Sequence, residues 1–155
     1  MFLLSDSQSD RHTRIRTFKG QEASIGALLA TIDFEWTVRR AVLACGTSPN
    51  STIRNEVLQR CSGIDAYRDA WKSEVVPRFG KPLPTVVTNW SYIKTQAFPF
   101  RHRVVHGVRG ASGAKYSNDR RDALLRASVD VVEFASTQNI ELYGRLPVRR
   151  KKAVQ

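Results

Sequence analysis

The chain has 155 residues, 41% hydrophobic and 25% charged, which suits a single folded domain with its own core and excludes wholesale disorder. Its 25 lysines and arginines stand against 14 aspartates and glutamates, giving a net charge of +11, and 18 of those cations are arginine. Arginine stays charged at any working pH and presents a planar fork that matches phosphate oxygens, so nucleic acid is the first partner to expect.

In chain order, residues 1–18 open with "MFLL", too short for a signal-peptide core, followed by the polar run "SDSQSDRHTR". They read as a polar N-terminal arm. A helical domain is expected over 19–140, then a basic, mobile tail over 141–155, "ELYGRLPVRRKKAVQ". No run approaches the roughly 18 apolar residues of a membrane span. Cys45 and Cys61 show no paired-ligand or disulfide spacing, so reduced thiols and a cytoplasmic location are expected.

The segment from Gln21 to Cys45 reads as a long amphipathic helix. Ile25, Leu28, Leu29, Ile32, Trp36 and Leu43 share one stripe, which is the predicted core face. Gly46, Ser48 and Pro49 stop it. Shorter helices follow over 51–61 and 65–76, then a proline-rich connector. Residues 85–98 begin with a β-branched run but carry Val86, Trp90, Ile93 and Ala97 on one helical face, so helix is preferred. Pro99 kinks or restarts this helix. Gly107, Gly110 and Gly113 form a loop, and Ser117 or Asn118 caps a final helix running to about Asn139. The sum is an all-α protein, an antiparallel bundle of four to five helices.

"PFRHRVVHG", residues 99–107, concentrates two of the three histidines with two arginines. His102 and His106 are one turn apart on a helix, the spacing of a two-histidine metal pair. No acidic residue flanks them, and the neighbouring arginines would repel a cation, so no metal is expected. A second reading is structural: the histidines fill gaps in the bundle, Val104 and Val105 supply the packing face, and the arginines face water. A third couples Arg101 with His106, about 7.5 Å apart along a helix axis and close enough for a long arginine to reach. Together they could grip one phosphate, Arg101 by fixed charge and His106 by exchanging a proton.

An arginine followed by four residues and a histidine, with a polar residue after the arginine and glycine after the histidine, on a late helix of a small all-α chain, resembles the HEPN superfamily. "RHRVVHG" carries the match at Arg101, His102, His106 and Gly107, and the helix order extends it from about Gln21 to Asn139. The resemblance implies a metal-independent endoribonuclease without a cofactor, a toxin or defence effector, working as a homodimer whose cleft takes an Arg and a His from each chain. It also allows an antitoxin or regulatory protein as partner. Some members carry a modified tyrosine two residues after the histidine; here that position is Val108, so this mode of control is not expected. "DFEWTVRR" resembles the acidic-residue helix placed beside the motif in such proteins, which makes Glu35 a candidate partner for Arg101 and Arg39 a candidate RNA contact. Arg103, Arg109 and the RRKK of 149–152 are candidate contacts to the RNA backbone. The alternative function is a non-catalytic HEPN-like module that binds RNA or a protein.

Overall fold

The computed structural model describes residues 6–107 and 113–150, and every regular element among them is helical. In order these are α1 (Gln8–Thr17), α2 (Ala23–Cys45), α3 (Asn50–Thr52), α4 (Ile64–Glu74), α5 (Val76–Phe79), α6 (Leu83–Val86), α7 (Trp90–Tyr92), α8 (Phe98–Val105) and α9 (Ala114–Thr137). Wide π-type turns over Ile53–Val57 and Ile93–Ala97 continue α3 and α7. The all-α expectation holds. No helix among the described residues is long and apolar enough to cross a membrane.

The chain gathers into two compact units that share the two long helices. One takes residues 6–34 and 89–128, the other 35–88 and 129–150.

In the first unit the N-terminal segment is a helix, not a loose arm. Ser7 caps α1 by accepting the Asp10 backbone N–H at 3.1 Å, and its hydroxyl also reaches the Asp10 carboxylate at 2.7 Å. Ile15, Arg11 and His12 are buried. Arg11 Nε donates to Asp33 at 2.8 Å, and His12 Nε2 lies 2.9 Å from the other carboxylate oxygen. A test for apolar periodicity is blind to this anchor because its buried face is mostly polar.

The stripe predicted as the core face of α2 is also corrected. Ile25 is 43% exposed and Ile32 39%, while Leu28, Leu29, Trp36 and Leu43 are only half-buried. The buried side carries Ala23, Ala27, Ala30, Phe34, Val38, Ala41, Val42 and Ala44. Small residues let neighbouring backbone come close: a Cβ on Gly26 would sit 3.2 Å from the Ile15 carbonyl oxygen. The wheel weighed bulk, whereas close packing selected small side chains.

The second unit surrounds Trp71, which is fully buried, donates its indole N–H to the Lys81 carbonyl at 2.8 Å and packs 5.3 Å from Phe134. Its Glu74 carboxylate is buried and accepts from the Thr47 and Ser48 backbones and the Ser48 hydroxyl, pinning the turn after α2. Gly46 is required at that turn, since a Cβ there would meet Ile53 at 2.4 Å and the Val42 carbonyl at 2.6 Å.

The C-terminal segment up to residue 150 is not a free tail. Arg149 donates to the carbonyls of Leu43, Ala44 and Ser48, and Arg78 to those of Cys45 and Gly46. Two guanidiniums thereby satisfy the last carbonyls of α2, where cations are favoured by the helix dipole. α9 begins at Ala114, earlier than expected, so Ser117 and Asn118 lie inside it and do not cap it.

Candidate active site

Pro99 has no backbone N–H and cannot continue the normal ladder. The chain meets this with the wide turn over Ile93–Ala97, closed by the Phe98 N–H on the Ile93 carbonyl, and α8 then runs from Phe98 to Val105. Buried Phe98 and Phe100 anchor α8, and Phe100 sets its edge against Tyr116 with ring centroids 5.6 Å apart. The expected packing face is therefore corrected: Val104 is half-buried and Val105 is 56% exposed.

Arg120 on α9 holds the approach to this helix, a role no sequence pattern announced. It is buried, donates to the Gln96 carbonyl at 3.2 Å and to the Gln96 side chain at 3.1 Å, and lies over the Tyr116 ring. Only after folding does a residue of the last helix stand against the turn that starts α8.

With the phenylalanines turned inward, the remaining face is polar. Arg101, His102, Arg103 and His106 are all exposed. His102 and His106 therefore do not fill gaps in the packing. Their rings are 4.3 Å apart between centroids and inclined at 47°, and the His106 backbone N–H closes the last turn on the His102 carbonyl at 3.0 Å. Gly107 follows with φ +61°, the left-handed conformation that ends a helix and that glycine adopts without strain.

Arg101, His102 and His106 line one cavity of about 290 Å³ with Phe98, Pro99 and Val105. Among the described residues that line it, a guanidinium and two imidazoles meet over an apolar floor. Such a site can bind an anion, neutralise charge developing on it, and exchange a proton. No group of three or more His, Cys, Asp or Glu side chains among the described residues is arranged to hold a metal ion. Arg103 is directed elsewhere, donating to the Tyr116 hydroxyl at 3.2 Å.

Glu35 and Arg39 belong to the second unit. There Arg39 donates to the Tyr67 hydroxyl at 3.2 Å. Burial pushes the Tyr67 pKa up, against the Arg39 hydrogen bond and with the help of Glu35. Arg39 sits on the outward stripe of α2 and is half-exposed. Arg149 directs its Nε, Nη1 and Nη2 to the carbonyls of Ser48, Ala44 and Leu43. Val108, Arg109, Lys151 and Lys152 lie outside the described residues. A larger cavity of about 480 Å³ in the second unit is lined by Arg78, Arg145, Arg149 and Glu141, with two of those guanidiniums already spent on α2.

Compared with protein-family models, curated proteins and solved structures, the chain matches none.

Proposed function

We propose that this chain is a metal-independent endoribonuclease of the HEPN type, a toxin or defence effector acting on RNA in the cytoplasm. The observation that carries the reading is that Arg101, His102 and His106, all exposed, line one and the same cavity. A phosphodiester seated there meets Arg101, whose fork neutralises the non-bridging oxygens as the phosphorane forms. The neighbouring 2′-OH attacks phosphorus and the bond to the 5′-oxygen breaks. His106 exchanges the proton, and a 2′,3′-cyclic phosphate and a 5′-OH remain. His102, whose ring lies tilted against that of His106, orients it or donates to the phosphate. Arginine-rich charge elsewhere on the chain supplies a salt-sensitive hold on RNA.

The homodimer belongs to the same reading, and the apolar side chains that α2 turns outward, Ile25, Leu28, Leu29 and Ile32, suit a facing helix. An antitoxin or other regulatory protein would be a further partner.

The test is incubation of purified protein with total RNA in EDTA, with mapping of the new ends. Arg101→Ala and His106→Ala should each lower cleavage by about a hundredfold or more, with unchanged circular dichroism and sedimentation. Wild-type cleavage by either variant, or 3′-OH ends, sinks the assignment. RNA left whole by the wild type favours a binding module.

A further inference from the structure

The second unit holds a cavity of about 220 Å³ lined by Trp36, Arg39, Arg40, Leu43, Arg54 and Leu58. Three guanidiniums face one hollow, and none of the described residues that line it is a carboxylate. Like charges gathered in this way repel, and an anion between them removes that cost. Arg40 is anchored by the carbonyls of Leu142 and Gly144 and lies over the Trp36 ring, so it contributes field more than free donors. Arg39 uses an N–H on Tyr67, but a guanidinium carries five. Arg54 is exposed. Leu43 and Leu58 form an apolar floor beside the indole of Trp36, which is half-buried.

Fixed positive charge beside a floor of leucine and indole matches a phosphate joined to a flat, weakly polar ring. A free phosphate would leave the floor unused, and a duplex keeps its bases stacked away from it. We infer that this cavity binds a nucleotide unit of single-stranded nucleic acid, with its phosphate on Arg39 and Arg54 and its base against Leu43 and Leu58, beside a Trp36 ring that already stacks on Tyr143. It is a second nucleic-acid subsite, separate in sequence and in unit from the α8 cluster. The inference rests on the reading of RNA as partner but not on cleavage.

The test uses the full chain and a labelled single-stranded 2′-O-methyl RNA, which has no free 2′-OH and cannot be cut by the proposed route. Binding is followed by fluorescence anisotropy over a range of salt. Arg54→Gln and Arg39→Gln should each weaken binding about tenfold, as for a lost charge-assisted bond. Each should also make the slope of log affinity against log salt shallower by about 0.7. Lys72→Gln, which removes an exposed charge outside the cavity, should change affinity by less than half as much.

Wild-type affinity in both arginine variants overturns the inference, as does an equal loss in Lys72→Gln. So does a duplex that binds as well as the single strand, inorganic phosphate that competes as well as a mononucleotide, or poly-glutamate that displaces the strand at equal charge. Cleavage of total RNA is measured separately. An intact RNA pool with arginine-dependent binding would end the ribonuclease reading and leave this subsite standing.

Discussion

Asp33 is fully buried, and its two carboxylate oxygens are taken by Arg11 Nε and His12 Nε2. Burial alone would raise its pKa, but the hydrogen bonds and charges of His12 and Arg11 outweigh it and bring the value below the ordinary 3.8. A carboxylate whose folded pKa is depressed stabilises the fold fully above its unfolded value and loses that contribution as pH falls through the folded one. Stability should therefore fall in acid below about pH 4, and Asp33→Asn should flatten that limb of a chemical-denaturation series. Asp33→Ala should cost about 3–5 kcal/mol at neutral pH, because Arg11 is left buried and uncompensated. A variant within 1 kcal/mol of wild type would show that α1 is held by Ile15 alone. None of this trio was legible beforehand. Aspartate, arginine and histidine read as surface residues, and only the tertiary contact of α1 with α2 turns them inward.

At the scale of elements, α8 was largely legible. Pro99 and Gly107 mark its ends, and its polar face follows from the spacing of Arg101, His102 and His106. Its anchor was not, because Phe98 and Phe100 take the inward positions that Val104 and Val105 were expected to fill. The left-handed Gly107 gives a direct check. Gly107→Ala meets no described residue within 4 Å but must hold φ near +61°, so it should cost about 1 kcal/mol. It should also raise amide exchange at His106, whose N–H closes the last turn, while RNA cleavage falls. Unchanged exchange at His106 would mean that the glycine does not fix the end of the helix. α1 shows the opposite case. Its Ser7–Asp10 cap was a readable start signal, but no apolar stripe followed to support it.

For the whole molecule, the charge of +11 is a sequence property, but where it can act is not. Arg149, Arg78, Arg120 and Arg121 donate to backbone carbonyls, so part of the basic surplus is structural. The outward stripe of α2 bears on assembly. Ile25→Asp with Ile32→Asp should reduce the sedimenting mass to the 17.5 kDa of one chain and leave the helical spectrum intact. A wild type already at that mass ends the dimer reading.

The all-α class, the ends of α2 and α8 and the Arg101–His106 candidate come from local rules: periodicity, proline and glycine punctuation, and spacing along one helix. Those rules act within a few turns of chain and need no partner. Which face of α2 is buried, what holds α1, which arginines remain for a ligand, and how Arg120 supports α8 were decided by the tertiary structure. Each depends on groups distant in sequence, and burial reverses the usual preference of a charged side chain once a partner satisfies it.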